Sequence, residues 1–294
     1  MKWLEVEVIV KKDDADVASL ILYELTGRGV AFDEQFSGGA DRPASLSTAS
    51  MKLKGYLPAG AAGKVGKIRA ALAPYMLEQP KVRELPETDW LRSYRENYKH
   101  FRVGKHLVIK PPWEKYRPSP GDLVLTIDPG LAFGCGTHPT TRLCLELLEE
   151  AVRPGMIVYD VGTGSGILAI AAARLGAAGV VAVDNDELAV RAARENVALN
   201  GLEAIVHVIE GDLLKGLAGL ADVIVANLTT EAIVGFVEEA ARHLRPGGSF
   251  IASGIAAPRE AEVKAVLEEF FSICKVACRE DWAAFWALHK PGHC

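Results

Sequence analysis

The sequence lacks the features that would place the protein in a membrane, in an oxidising compartment or around a metal ion. No run of about eighteen apolar residues occurs, so no membrane span is predicted. The five cysteines are odd in number and form no CxxC pair, which argues against a disulfide framework and favours a reducing, cytoplasmic compartment. The seven histidines are scattered, without an HExxH pattern or paired Cys/His spacing, so no metal site is predicted.

The sequence also carries little net charge. A formal charge of −5 argues against a broad basic surface for DNA, and it says nothing against a basic protein partner. Hydrophobic residues make up 49% and charged residues 24%, the balance of a globular protein, and 294 residues suit two domains. The opening MKWLEVEVIV has acids within its apolar stretch and no cleavage pattern, so we expect folded structure there rather than a signal peptide.

Residues 1–85 have the pattern of a small α+β domain. KWLEVEVIV and ASMKLKGYLP alternate apolar and polar residues as half-buried strands do, and KVREL is a further candidate strand. DADVASLILYELTGRG and AGKVGKIRAALAPYM have helical periodicity. This order fits a β-α-β-β-α-β module of the ferredoxin-like kind, which we predict as a separate domain.

Residues 86–104, PETDWLRSYRENYKHFRVG, are polar and rich in aromatic side chains. Thr88 or Asp89 could cap a helix that ends near Tyr98, so we predict a linker helix between two domains. The second domain, residues 105–294, then begins with two short strands, KHLVIKPPW and DLVLTIDPG, around a proline-rich loop.

From Pro139 onward, candidate helices and strands alternate along the chain, which predicts a doubly wound, mostly parallel sheet. The last two strands follow each other without a helix between them, so the final strand is predicted to be antiparallel and at or next to an edge. The predicted fold class is therefore α/β, a seven-stranded Rossmann-like domain preceded by the small α+β domain. The seven strands are MIVYDV, GVVAVD, AIVHVIEGD, ADVIVAN, SFIASGI, SICKVACRE and WAAFWALHK.

A glycine-rich stretch, YDVGTGSGILAI, follows the first of these strands, where nucleotides bind in such sheets. It departs from the dinucleotide pattern GxGxxG because its third glycine comes one residue early, and a carboxylate at Asp160 would repel a pyrophosphate. The ammonium and sulfonium groups of S-adenosylmethionine would instead be attracted by acidic and carbonyl oxygens. We therefore predict that Asp160, Gly162, Gly164 and Gly166 bind S-adenosylmethionine.

Two further acids follow the next two strands. Asp184 ends GVVAVD and is predicted to accept hydrogen bonds from the ribose hydroxyls, a role that would suit NAD equally. Asp212 is predicted to accept a hydrogen bond from the adenine amino group. One such acid alone is more often a helix cap or a solvated charge, but acids at three successive strand ends favour a methyltransferase.

The segment IDPGLAFGCGTHPTT, residues 127–141, enters a helix near the predicted pocket. Thr140 and Thr141 are predicted to donate hydrogen bonds to the cofactor carboxylate. His138 precedes a proline and is interpreted as structural, and Cys135 has no base partner that the sequence can assign.

Asn227, at the end of ADVIVAN, is the predicted catalytic residue. Its carbonyl could orient an acceptor amine toward the transferred methyl group, and the residue is also predicted to contact the cofactor. The competing interpretation is that Asn227 caps the next helix, but Thr229 or Thr230 could supply that cap.

Together these motifs resemble the PrmA family, which methylates ribosomal protein L11 of the large subunit. The resemblance covers nearly the whole chain, and its specific part is DPGLAFGCGTHPTT; ETDW, FRVGKHLVIKPPW and SGI add to it. It implies an N-terminal domain that recognises L11, a flexible linker, and a catalytic domain that methylates lysine ε-amino groups and the N-terminal α-amino group. The family's cofactor contacts map onto Thr141, Gly162, Asp184 and Asn227.

The sequence departs from the family pattern at two places. Cys135 stands where the family usually has threonine, and ANLTT stands where the family usually has ANIL and a small residue. The residues after Asn227 are expected to face the acceptor, so these departures bear on acceptor choice and degree of methylation. Cofactor binding is expected to be unaffected, because Asn227 is retained.

Three alternatives stay open at this stage. The first is a methyltransferase of the same fold acting on another protein or a small molecule, and the second is a binding module without catalysis. The third, a nucleic-acid methyltransferase, is disfavoured because Asn227 is followed by Leu228 and Thr229 instead of Pro-Pro-aromatic. The expected partner is L11, free or on the ribosome, with no DNA or membrane partner, and the expected oligomeric state is a monomer.

Overall fold

The computed structural model describes residues 2–11, 14–26, 30–33, 50–86, 98–128 and 134–290. The chain divides into two compact units, Met1–Tyr98 and Lys99–Cys294. The division falls inside the predicted linker, residues 86–104. Positions 87–97, with the proposed caps Thr88 and Asp89, lie outside the described residues, so the linker helix stays a prediction.

The first unit has the predicted ferredoxin-like arrangement. Its antiparallel sheet has the order β2-β3-β1-β4. Leu4, Val6, Val8 and Val10 alternate along β1 and form one core with buried residues of both helices, as the sequence pattern predicted. The strands are β1 (Lys2–Lys11), β2 (Ala31–Asp33), β3 (Ser50–Pro58) and β4 (Lys81–Pro86), and the helices are α1 (Ala15–Thr26) and α2 (Lys64–Leu72).

The second unit begins with a three-stranded sheet of order β5-β6-β7. The predicted strands are present as β6 (Leu107–Lys110) and β7 (Leu123–Thr126), which pair in parallel. The end of the predicted linker is not helical, because Phe101–Val103 forms β5 and pairs antiparallel with β6.

The seven-stranded sheet has the order β10-β9-β8-β11-β12-β14-β13. Its first five strands are parallel, and β14 lies antiparallel between β12 and β13, one position from the edge, which confirms the prediction for the final strand. The strands are β8 (Ile157–Val161), β9 (Gly179–Asp184), β10 (Val206–Glu210), β11 (Ala221–Asn227), β12 (Leu244–Ala256), β13 (Phe271–Arg279) and β14 (Trp282–His289). The helices are α3 (Pro139–Ala151), α4 (Ile167–Arg174), α5 (Glu187–Leu199), α6 (Thr230–Arg242) and α7 (Glu260–Phe270).

Helices cover both faces of this sheet, each with its own core. On one face, residues of α3, α4 and α5 pack with strand residues such as Val158 and Val223. On the other face, residues of α6 and α7 pack with Tyr159 and Ile224, the next residues along the same two strands. Strands buried on both faces are nearly continuous apolar runs, as in IVYDV and ADVIVAN. None of the helices in the described part of the chain is long and apolar enough to span a membrane.

Candidate active site

The carboxyl ends of the parallel strands bring the predicted site residues to one edge of the sheet. Asp160 of β8 pairs with positions on β9 and β11, Asp184 ends β9, and Asn227 ends β11 opposite Ser253 of β12. In doubly wound sheets this edge is where ligands bind. The glycine loop, residues 162–166, leaves β8 at the same edge and leads into α4.

Glycine is required in this loop by backbone conformation and by close packing. Gly162, Gly164 and Gly166 have φ values of 71°, 53° and 82°, in the left-handed region. A Cβ at Gly162 would overlap the Leu228 side chain, and one at Gly166 would lie 3.2 Å from the Ala193 Cα of α5. The loop is thus pressed between the end of β11 and α5.

The loop uses its own N–H groups in ways that do not suit a pyrophosphate. Gly162 and Thr163 donate to the Val183 carbonyl at 2.9 and 3.0 Å, and Gly164 donates to Asp184 Oδ2 at 2.9 Å. A pyrophosphate at a helix N-terminus needs such donors free. No lysine or arginine occurs between positions 159 and 173. The acidic surroundings fit a nucleotide with a cationic end.

Asp160 is fully buried beneath the loop. Its Oδ2 accepts hydrogen bonds from the Thr163 hydroxyl at 2.6 Å and from the Ala169 N–H at 3.0 Å, so it holds the loop against the first turn of α4. Its Oδ1 has no hydrogen-bond partner among the described residues. Burial, with a smaller contribution from the charge of Asp184, raises the pKa of Asp160 to about 7. A cation bound at this loop would complement the unpaired oxygen.

The two other predicted acids differ in their surroundings. Asp184 Oδ1 accepts the Asp186 N–H at 3.1 Å, and its Oδ2 accepts the Gly164 N–H. Both carboxylate oxygens of Asp184 therefore already accept a backbone hydrogen bond. Each carboxylate oxygen has a second lone pair, so ribose hydroxyls can still donate to Asp184. Asp212 follows β10, is exposed, and pairs with Lys215 at 2.5 Å. Its contact with adenine stays a prediction.

Asn227 lies beside Thr141 at the end of β11. Its Nδ2 is 3.4 Å from Thr141 Oγ1, a weak hydrogen bond in which the amide donates and the hydroxyl proton of Thr141 stays available. The cap of α6 is Thr229, whose side chain accepts the Ala232 N–H. This confirms that a threonine supplies the cap, and it removes the main structural explanation for Asn227.

Thr140 and Thr141 open α3 and are both buried. His138 caps the helix: its Nδ1 accepts the Thr140 N–H at 3.3 Å and lies 2.8 Å from Thr140 Oγ1. The structural role predicted for His138 is confirmed, and its ring packs edge-on against Trp282 at 5.2 Å between centroids. Since the Thr140 hydroxyl already has His138 as a partner, donation from Thr140 to a cofactor carboxylate stays a prediction.

Sequence analysis missed the residues that hold Leu228, the neighbour of Asn227. The Leu228 N–H donates to the Ser253 carbonyl at 3.1 Å, and the Ser253 hydroxyl donates to the Thr140 carbonyl at 3.1 Å. Gly254, with φ of 86°, faces the Leu228 carbonyl so closely that a Cβ there would overlap it. In the sequence this arrangement is marked by the short motif SGI, which by itself predicts no contact with Leu228.

The chain is similar to known proteins along nearly its whole length. The family model of ribosomal protein L11 methyltransferase (PrmA) matches residues 2–290. The chain is 40% identical to the ribosomal protein L11 methyltransferase of Caldanaerobacter subterraneus subsp. tengcongensis and 41% identical to that of Pelotomaculum thermopropionicum, in each case over 99% of this chain and 100% of the relative. A solved ribosomal protein L11 methylase from Lactobacillus delbrueckii subsp. bulgaricus matches with a TM-score of 0.62 and 37% identity, over 66% of this chain and 100% of that one.

Proposed function

The chain belongs to the PrmA family of ribosomal protein L11 methyltransferases, and from this premise we propose that it methylates amino groups of ribosomal protein L11. Its methyl donor is S-adenosylmethionine, as for the family. The proposed acceptors are lysine ε-amino groups and the N-terminal α-amino group. The proposed compartment is the cytoplasm, where L11 is available free or on ribosomes, and the proposed oligomeric state is a monomer.

The observation that carries this proposal is the position of Asn227 beside the glycine loop. Leu228, the next residue, packs on Gly162, and Thr141 contacts the Asn227 amide, so the amide is fixed between the loop and α3. When bound, S-adenosylmethionine supplies a methyl group on a cationic sulfur that a neutral amine can attack. Asn227 supports the proposal because its carbonyl can accept a hydrogen bond from that amine and orient the lone pair.

No side chain is assigned as a general base. A lysine amine with a pKa near 10.4 is neutral about one time in a thousand near pH 7.4, which costs roughly 4 kcal/mol. Holding two reacting groups in line can contribute up to roughly 7–11 kcal/mol, which is more than this cost. The buried thiol of Cys144, whose pKa is raised to about 12 by burial, is not a candidate base at neutral pH.

The cofactor fits the residues that surround the loop. The Asp160 carboxyl, whose pKa burial raises to about 7, supplies negative charge under the loop when it ionises, and Asp184 has lone pairs available at the end of β9. We propose that the cofactor is held by Asp160, Asp184, Thr141, Asn227 and the loop glycines, with Asp212 and Thr140 as further contacts. The first unit contributes none of the predicted site residues, and we propose that it recognises L11.

The experiment that tests this function is the intact mass of L11 after incubation with the protein and S-adenosylmethionine. We expect a ladder of added methylene units, and peptide mapping then identifies the modified amines. An incubation without S-adenosylmethionine is the control. An unchanged mass, with cofactor binding still measurable by calorimetry, would reject L11 as the acceptor and direct the search to another protein or a small molecule.

A further inference from the structure

Two buried asparagines lie four positions apart at the end of α5, Asn196 on its otherwise apolar inner face and Asn200 at its C-cap. Asn196 is 1% exposed and Asn200 is 8% exposed, and their neighbours on this face are alanines and valines. Burying an amide is unfavourable unless its hydrogen bonds are made, so the partners of these two side chains explain why they are there.

Asn196 joins two segments that are distant in sequence. Its Oδ1 accepts the Asp128 N–H at 2.8 Å, just after β7, and its Nδ2 donates to the Ser165 carbonyl at 2.8 Å, inside the glycine loop. Both polar atoms of the amide are therefore used, and each in the only direction that its partner allows. No apolar side chain of similar size could replace this link.

Ser165 is the point of the glycine loop at which these links meet. It is buried between Gly164 and Gly166, and besides its carbonyl contact it donates its hydroxyl to the Gly134 carbonyl at 2.6 Å. Ser165 is thus tied to Asp128 through Asn196 and to Gly134 directly. Without the Asn196 amide, the Ser165 carbonyl would lose its partner in a buried position, and the loop would have to move to find another.

Asn200, the C-cap residue of the same helix, provides a natural comparison. Its Oδ1 accepts the Thr126 N–H at 3.0 Å and its Nδ2 donates to the Thr126 carbonyl at 2.7 Å. It also donates to the Asn196 carbonyl at 2.8 Å. These contacts hold β7, and none of them reaches the glycine loop.

We propose that Asn196 is a positioning residue for the methyl transfer: through the Ser165 carbonyl it holds the glycine loop in the conformation that accepts the cofactor. This inference rests on the proposed function only for the identity of the nucleotide. It assigns Asn196 an effect on cofactor affinity and on the KM for S-adenosylmethionine. We expect kcat at saturation to be nearly unchanged, because the hydrogen bonds of the Asn196 side chain go to Asp128 and Ser165 and not to Asn227, the residue predicted to orient the acceptor.

The test measures S-adenosylhomocysteine affinity by calorimetry and the melting temperature for Asn196→Ala and Asn200→Ala. We expect Asn196→Ala to weaken binding about tenfold, equivalent to 1.4 kcal/mol, and Asn200→Ala to leave it within about twofold. Both variants should lower the melting temperature. Equal affinities in the two variants, with only stability reduced, would overturn the proposal and leave Asn196 a structural residue.

Asn196→Asp gives a second readout with nearly the same shape, which also serves if Asn196→Ala fails to fold. The aspartate keeps the acceptor for Asp128 but sets a carboxylate oxygen against the Ser165 carbonyl, unless it is protonated. Its affinity relative to the unaltered protein should therefore recover as the pH is lowered from about 8 to about 6. A pH-independent ratio would contradict the proposal, and failure of the unaltered protein to bind would overturn the proposed function as well. If the unaltered protein binds the cofactor but does not methylate L11, only the proposed acceptor is wrong, and the proposal for Asn196 stands.

Discussion

At the scale of single residues, the two carboxylates nearest the loop have unequal roles. Asp160 is buried and its pKa is raised to about 7, whereas Asp184 is partly exposed and ties down Gly164. An acid whose pKa is raised by folding holds a proton in the native state that the unfolded chain has already lost. Asp160 therefore links both stability and cofactor binding to pH near neutrality.

The proton that Asp160 keeps in the native state determines how the stability of the protein changes with pH. Between its usual value of 3.8 and about 7, the native state binds more protons than the unfolded state, so the free energy of unfolding falls as pH rises through this window and levels off above it. From pH 5 to pH 8 this loss should reach about 3 kcal/mol. Asp160→Asn, which cannot ionise at this position, should not show this pH-dependent loss of stability. Urea unfolding at several pH values measures it, and parallel curves for the two proteins would contradict the raised pKa.

The same residue predicts proton release when a cationic nucleotide binds. Positive charge near the unpaired Oδ1 favours the ionised carboxylate, so affinity should rise from pH 6 to pH 8 and a proton should be released near pH 7. Calorimetry in buffers of different ionisation enthalpy measures this release. Asp160→Asn is the control, since it retains only the protons contributed by the cofactor's own amine.

Asn227 tests the chemistry without disturbing the helix that follows. Asn227→Ala should lower kcat on the order of 10²-fold, since a misplaced amine loses much of the benefit of alignment. Cofactor affinity should fall by a smaller factor, because one of several predicted contacts is lost. The matched control is Thr229→Ala, which removes the cap of α6 and should cost about 1 kcal/mol of stability with kcat retained. If Asn227→Ala keeps full kcat and loses only cofactor affinity, the positioning role is wrong.

At the scale of elements, β12 carries the backbone feature that holds Asn227 in place. The register between β12 and β14 shifts between Ala252 and Ile255, which sets Gly254 at positive φ against the Leu228 carbonyl. Gly247, in the same strand, also has positive φ, at 75°, but a Cβ there would meet nothing within 4 Å. Substitution at Gly247 would therefore test the backbone conformation alone, whereas substitution at Gly254 would test the backbone conformation together with steric overlap.

Alanine at these two positions should have different consequences. Gly247→Ala should cost roughly 1–2 kcal/mol through its backbone conformation alone and leave kcat unchanged. Gly254→Ala adds the overlap with Leu228, so it should cost more stability and displace Asn227, with kcat falling on the order of 10²-fold. Urea unfolding and steady-state kinetics on both variants provide the comparison. Similar kcat values in the two variants would show that the close contact between Gly254 and Leu228 does not control the position of Asn227.

The elements also show what local pattern can and cannot reveal. The alternation of strands and helices after Pro139 was enough to predict seven strands and the antiparallel position of β14. The three-residue strands β2 and β5 were not located, because so few residues cannot display a period of two. In the site, spacing identified the glycine loop and the strand-end acids. The contacts of Ser165 with Asn196, and of Gly254 with Leu228, join distant segments and leave no local signal.

At the scale of the whole molecule, each unit has its own hydrophobic core. The core of the first unit is built from residues of β1, β3, α1 and α2, and both cores of the second lie beyond Tyr98. A unit with its own core can in principle fold alone. The predicted cofactor site lies wholly in the second unit, so a ligand there should stabilise that unit first.

Calorimetric unfolding of the protein should therefore show two transitions. S-adenosylhomocysteine at a hundred times its Kd adds about 2.7 kcal/mol to the unit that binds it, which should raise that transition by roughly 5–10 °C and leave the other in place. L11, if it is recognised by the first unit, should raise the transition that the nucleotide does not move, because a ligand stabilises only the unit whose native state it binds. If L11 instead raises only the nucleotide-sensitive transition, acceptor recognition belongs to the catalytic unit, and the first unit needs another explanation.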